Sequence, residues 1–163
     1  MPSVGPGADA TRPWFDPPPM ATLHLINGVA VLVANLAAGT IGGVAWVRRR
    51  PSVPFWYVLR VAQATVVLQV ALGTLLLLLG HEADGLLYVY GLLPLGVALF
   101  AEAARAGAAE RELEGVDFDS LTSERQRLFA LAIVRRETGI MTVSALLVFV
   151  LALRAASTSG ALF

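Results

Sequence analysis

Four long apolar stretches, separated by short polar segments, take up most of this chain. They run at about 21–47, 55–80, 85–104 and 138–156. A helix needs roughly 20 apolar residues to cross the hydrocarbon core of a bilayer, and each stretch meets or approaches that length. The pattern predicts an all-α fold, a polytopic membrane protein whose four transmembrane helices form an antiparallel bundle over residues 21–156.

Three segments lie outside the predicted spans. Residues 1–20 are rich in proline and have no apolar period, which predicts a disordered or loosely docked tail. Residues 157–163 form a short C-terminal tail. Residues 105–137 are predicted as a cytoplasmic helical extension between the third and fourth helices, broken near Gly115, with a new helix starting at 119–120 or at 122–123. We interpret this extension as a helical hairpin or, alternatively, as a docking surface for a partner subunit.

The distribution of arginine predicts the orientation. Ten arginines fall in segments that lie on one side if both termini lie on the other, and only Arg12 and Arg154 fall on the second side. Cytoplasmic loops carry the excess of basic residues, so both termini are predicted to be extracytoplasmic. All 12 basic residues are arginine, typical of GC-rich codon usage, which favours a bacterial membrane.

The amino-acid composition excludes several kinds of functional site. The chain is 56% hydrophobic and 15% charged, with no net charge and no cysteine. Disulfides, thiolate metal sites and iron–sulfur clusters are therefore excluded, and no basic field indicates nucleic acid as a partner. The chain carries no GxSxG, HExxH, Walker A or GxGxxG motif, so the sequence favours a protein without a catalytic site.

Charged residues near the predicted inner boundary form the first candidate cluster. Ionisable groups within spans are costly unless they are paired. Pairing of arginine with glutamate from different spans predicts a structural ion-pair network, and the less favoured interpretation is a proton or substrate relay. The network residues are Arg60, Glu102, Arg136 and Glu137.

Small and polar residues recur on one stripe of the first and second spans. Such residues allow close approach of helices and hydrogen bonding between them. The stripe is interpreted as a packing seam, with a substrate-facing stripe as the alternative. Its predicted helix-packing residues are Gly28, Asn35, Gly42, Gln69 and Gly73.

Two histidines form the second candidate cluster. His24 begins the first span and His81 ends the second, so antiparallel geometry brings both to the same membrane face. They could be the axial ligands of a b-type haem or, together with a carboxylate, could hold zinc or copper. The alternative is a pair of interfacial histidines hydrogen-bonded to headgroups or water.

Three functional hypotheses follow. The first is an accessory, scaffold or assembly subunit of a larger membrane complex, with the bilayer and other membrane subunits or further copies of the chain as partners. The second is a haem- or metal-binding redox or assembly protein that uses His24 and His81. The third is a small dimeric transporter, which is disfavoured because the acidic residues lie near the predicted boundaries rather than at mid-membrane.

Overall fold

A computed structural model describes residues 17–80 and 85–158 of the chain, and within those ranges the fold is helical with no strand. The long helices are α1 (Pro17–Val47), α2 (Val53–Leu78), α3 (Gly85–Leu113) and α4 (Ser123–Thr158), with a short 3-10 helix at Phe118–Ser120. Residues 1–16 of the predicted N-terminal tail and 159–163 of the C-terminal tail lie outside the described ranges.

The turn between α1 and α2 is specified by local chemistry. Arg49 takes a left-handed conformation with φ of 54°, its N–H bonds the Trp46 carbonyl, and the N–H of Arg50 bonds the Ala45 carbonyl. This is the Schellman arrangement, in which glycine usually holds the left-handed position. The Ser52 hydroxyl then accepts from the N–H of Phe55 and caps α2.

The segment between the third and fourth spans is more helical than the apolar pattern alone indicates. The third helix continues nine residues beyond the predicted span end at 104, to Leu113, and Gly115 follows with φ of 74°. The fourth begins at Ser123 and continues through Gly139 to Thr158. Its first bond runs from the N–H of Gln126 to the Thr122 carbonyl, so helix α4 starts at the later of the two predicted positions.

All four long helices meet the requirements of a membrane span. Their apolar windows have mean hydropathies of 1.4 to 2.1 and lie in Met20–Val47, Val53–Leu78, Tyr88–Leu113 and Ser123–Thr158. Length and apolar character together indicate a multi-pass membrane protein. The side of the membrane that each end faces stays a prediction.

The surface of the structure is far more apolar than that of a water-soluble domain, and the interior is mainly apolar with several polar side chains. Large apolar side chains point outward, including Phe100 and Leu78 at 77% and 79% exposure. Several polar side chains are buried between the helices: Asn27, Asn35, Thr138, Thr142 and Ser144. Lipid tails accept an apolar surface, whereas polar groups in a membrane favour helix interfaces.

Close packing is concentrated on three helix pairs. Helix α1 packs along α2 and α4, and α3 packs along α4, while α2 and α3 share far fewer contacts. Small residues permit the close pairs: a Cβ at Gly42 would overlap Thr142 Oγ1 and a ring carbon of Phe55. The described helices therefore leave one loosely packed side, between α2 and α3.

Candidate functional site

Polar side chains join α1 to α2 near the start of α1. The Asn27 side-chain amide donates to the Thr65 carbonyl at 2.9 Å and to Gln69 Oε1 at 2.7 Å. Gln69 Nε2 lies 3.0 Å from His24 Nε2. We call His24, Asn27, Thr65 and Gln69 the histidine–amide cluster. It contains no carboxylate and no arginine.

Two glycines make room for this cluster. A Cβ at Gly28 would lie 3.4 Å from Gln69 Nε2, and a Cβ at Gly73 would lie 3.3 Å from His24 Cε1. Larger side chains at either position would push the histidine or the glutamine away. The predicted packing residues Gly28, Gln69 and Gly73 thus lie together at one place in the α1–α2 contact.

The hydrogen bonds of Gln69 determine whether a ring nitrogen of His24 has a free lone pair for a metal ion. Because Gln69 Oε1 accepts from Asn27, the NH₂ of Gln69 faces His24 and can only donate. His24 Nε2 is then the acceptor, and a neutral ring carries its proton on Nδ1. His24 Nδ1 is buried without a hydrogen-bond partner among the described residues. In this arrangement the ring has no free lone pair for a metal.

The predicted pairing of His24 with His81 has only one described member. His81 lies outside the described residues, together with Glu82 and Asp84. Within the described ranges, no group of three or more histidine, cysteine, aspartate or glutamate side chains could hold a metal ion. Haem binding by His24 and His81 stays a prediction, and it would require His24 Nε2 to leave Gln69.

A second, charged cluster joins α2 to α3. Glu102 Oε1 accepts from Arg60 Nη1 at 2.7 Å and from Gln63 Nε2 at 2.8 Å. Glu102 Oε2 accepts from Arg105 Nε at 2.9 Å, and Arg105 Nη1 lies 4.0 Å from Glu137 Oε1. We call Arg60, Gln63, Glu102, Arg105 and Glu137 the arginine–glutamate network.

The network differs in membership from the set predicted from sequence. Arg60, Glu102 and Glu137 are present, but Arg136 Nη1 bonds Glu112 Oε1 at 2.7 Å and contacts neither Glu102 nor Glu137. The helical continuation of α3 beyond the apolar span carries Glu112 to the level of Arg136. Arg105 takes the place that we expected for Arg136.

Sequence spacing could have indicated both additional members, Gln63 and Arg105. Gln63 follows Arg60 by three residues, and Arg105 follows Glu102 by three, which places each pair on one face of a helix. Arg105 also lies over the Trp56 ring, 5.7 Å from its centroid, at a distance typical of a cation–π contact. No comparable local signal links Glu112 to Arg136, which are 24 residues apart.

The other two predicted packing residues, Asn35 and Gly42, are used inside the fold. The Asn35 amide donates to the Val31 carbonyl in its own helix at 2.9 Å, so the expected hydrogen bond to another helix is not formed by this donor. Gly42 lies where α1 approaches Phe55 and Thr142. Both residues belong to intramolecular packing of α1.

The members of the arginine–glutamate network differ in exposure. The Arg60 side chain is 55% exposed, while those of Glu102 and Arg105 are 27% and 28% exposed. Ionised groups facing hydrocarbon are costly, so the exposed part of the network needs headgroups, water or a partner chain beside it. A transporter role for Glu102 stays a prediction.

Comparison of the chain with models of protein families, with curated proteins and with solved structures finds no match.

Proposed function

We propose that this protein is a non-catalytic subunit of a larger membrane complex and that it binds a transmembrane helix of a partner protein along its α2–α3 side. The observation that carries the proposal is the half-exposed side chain of Arg60, which belongs to the arginine–glutamate network on the loosely packed α2–α3 side of the described helices. In this proposal the four helices form an antiparallel bundle in a bacterial membrane. Both termini are extracytoplasmic, and the extensions of α3 and α4 are cytoplasmic.

Arg60 provides the polar part of the proposed contact. Its two hydrogen bonds, to Gln63 and Glu102, both use Nη1. A guanidinium has five N–H donors, so the donors on Nε and Nη2 remain for a group outside the described residues. A carboxylate or a free backbone carbonyl on a partner helix would satisfy them, and burial of Arg60 in hydrocarbon would then be less costly.

The exposed face of α2 provides the apolar part of the contact. In the most apolar window of α2 only 11% of residues are buried, against 33% in α1 and in α4. One stripe on this face repeats at alternating steps of four and three residues, as in left-handed helix pairs. Its members are all exposed, and they include two alanines that allow close approach: Tyr57, Val61, Ala64, Leu68, Ala71, Leu75 and Leu78.

Arg60 flanks this stripe, because it follows Tyr57 by three residues and precedes Ala64 by four. A helix packed on the stripe would therefore pass beside the guanidinium. The combination favours a partner that presents apolar residues along most of its length and one acceptor at the level of Arg60. We define the stripe and Arg60 together as the α2 docking face.

Purification from native membranes in mild detergent tests the proposal. The tagged wild-type chain is expected to retain a second membrane protein in a fixed ratio, and Arg60→Gln is expected to lose most of it. Arg127→Gln removes an exposed arginine of α4 and is the matched control, so it should behave as wild type. Recovery of the chain alone, or equal recovery of the partner with both variants, would overturn the proposal.

A further inference from the structure

We infer that an anionic phospholipid binds on the side of the molecule formed by α1, α3 and α4, with its acyl chain in an apolar groove and its phosphate among arginines. This site uses no residue of α2, so it is independent of the partner contact proposed above. Two adjoining cavities and the charges at their junction carry the inference.

The larger cavity is a mainly apolar groove of about 730 Å³ along α4, whose lining also includes the ion pair of Glu112 and Arg136. Val97 and Phe100 of α3 form one wall, and Trp46 of α1 lies at the opposite wall. Ile140, Val143 and Leu147 lie along its floor. Because the ring of Trp46 comes so close to Gly139 that a Cβ there would lie 3.0 Å from it, the tryptophan is held against α4. We call this cavity the α4 groove.

The length of the α4 groove fits one leaflet of a bilayer. From Arg135 to Leu147 the floor covers twelve residue steps, or about 18 Å at 1.5 Å per residue. Half of a hydrocarbon core that is roughly 30 Å thick is about 15 Å. An acyl chain lying along the groove would therefore extend from the headgroup level to about the bilayer centre.

The smaller cavity, of about 240 Å³, adjoins one end of the groove and shares Trp46, Ala132 and Arg135 with it. Arg49 and Arg50 also line this cavity. Within the described ranges, none of Arg49, Arg50 and Arg135 forms an ion pair. Three uncompensated guanidinium groups thus surround one pocket, which we call the arginine pocket.

The left-handed backbone conformation of Arg49 supports a role for its side chain in the arginine pocket. The left-handed position of a Schellman turn is strained for residues other than glycine, by roughly 1 kcal/mol. Here arginine holds that position, and its side chain lines the arginine pocket. Glycine would relieve the strain but would provide no charge.

The two cavities together select the chemistry of the ligand. A soluble phosphate would satisfy the arginines but would leave the groove empty, and a zwitterionic lipid would bring a cation among three arginines. An anionic phospholipid satisfies both parts, since guanidinium groups bind phosphate oxygens through charge-assisted hydrogen bonds. Basic pockets between transmembrane helices bind anionic headgroups in this way.

Native mass spectrometry and thermal unfolding of the delipidated, full-length protein test the inference. Phosphatidylglycerol, phosphatidylcholine of the same chain length and glycerol 3-phosphate are added separately. Phosphatidylglycerol alone is expected to bind in a one-to-one ratio and to raise the unfolding temperature. Arg135→Gln is expected to weaken its binding about tenfold, because one charge-assisted contact to the phosphate is lost.

Two further variants separate the parts of the site. Arg125→Gln removes an exposed arginine of α4 that lines neither cavity, and it should bind as wild type does. Val143→Trp fills the α4 groove and should weaken lipid binding while leaving the arginine pocket intact. Equal binding of phosphatidylcholine, equal stabilisation by glycerol 3-phosphate, or equal losses in Arg125→Gln and Arg135→Gln would each overturn the inference.

Discussion

The histidine–amide cluster and the arginine–glutamate network both join α2 to a neighbouring helix, but they lie in different surroundings. The first is neutral and lies in the close contact between α1 and α2, where Gly28 and Gly73 leave just enough space for its side chains. The second is charged, includes the half-exposed Arg60, and lies on the side where α2 and α3 share few contacts. The first is therefore part of the intramolecular packing, whereas the second leaves donors for another molecule.

This difference predicts which variants affect folding and which affect association. Changes in the histidine–amide cluster should lower the stability of the isolated protein. Changes at the exposed edge of the network should act mainly on partner binding.

The largest loss is expected for Gly28→Leu. The Cβ alone would lie 3.4 Å from Gln69 Nε2, and the rest of the leucine side chain must displace Gln69 from His24 and Asn27. Overpacking of a close contact costs about 1–3 kcal/mol, and we expect the upper end of that range. Unfolding in mixed detergent micelles, followed by circular dichroism, measures it. Gly96→Leu, where a Cβ meets nothing within 4 Å, should change the free energy of unfolding little.

Glu102→Ala should destabilise the isolated protein by about 1–2 kcal/mol, because it leaves Arg60 and Arg105 without their shared acceptor. Their partial exposure keeps the loss below that of a fully buried pair. The same unfolding assay applies. Glu110→Ala, an exposed carboxylate on the same helix, is the control. Equal stability of the two variants would show that the network does not hold α2 to α3.

Gln69→Leu removes the hydrogen bonds with Asn27 and His24 and should cost about 0.5–1.5 kcal/mol, since each hydrogen bond between helices in a membrane contributes roughly 0.6 kcal/mol. Asn27 keeps its bond to the Thr65 carbonyl, which limits the loss. Thr74→Val on the same helix removes an exposed hydroxyl that bonds only the Val70 carbonyl and should be nearly neutral. If Thr74→Val lost as much stability as Gln69→Leu, the cluster would have no special role in packing.

Arg60→Gln should have the smallest effect on the isolated protein, less than about 1 kcal/mol, since half-exposed ion pairs contribute little to stability. Glu102 keeps its bonds from Gln63 and Arg105. The same substitution is expected to remove most of the partner in membranes. A stability loss as large as that of Gly28→Leu would place Arg60 in the intramolecular packing instead.

The helices can be predicted from the sequence more readily than the side-chain pairs. Apolar stretches of sufficient length predict four spans, and four long apolar helices are found. Hydropathy alone does not show that α3 continues to Leu113, but the Ala-, Glu- and Arg-rich composition of residues 105–113 predicts a helical extension up to Gly115. That continuation decides the partner of Arg136, which is Glu112.

Which side chains pair within the membrane depends on the rotation of each helix about its axis and on the depth of each residue in the bilayer. The sequence of a single span specifies neither. Arg60 with Glu102 could be predicted because both lie at a similar distance from a predicted boundary. The hydrogen bond of Asn35 to a carbonyl of its own helix could not be predicted, because the sequence alone does not distinguish it from a hydrogen bond to another helix. The contact between His24 and Gln69 depends on the glycines opposite each of them, so it too follows from the packed structure.

Site-specific photo-crosslinking in native membranes tests the central claim, that the α2 docking face binds a partner helix, most directly. A photoreactive phenylalanine derivative replaces Val61 or Leu68 on that face, or Val33 on the exposed surface of α1 as the control. We predict one discrete adduct with the same partner membrane protein from Val61 and Leu68, none from Val33, and loss of the adduct when Arg60→Gln is added. Adducts with lipid alone, equal adducts from all three positions, or an adduct between two copies of this chain would contradict the account.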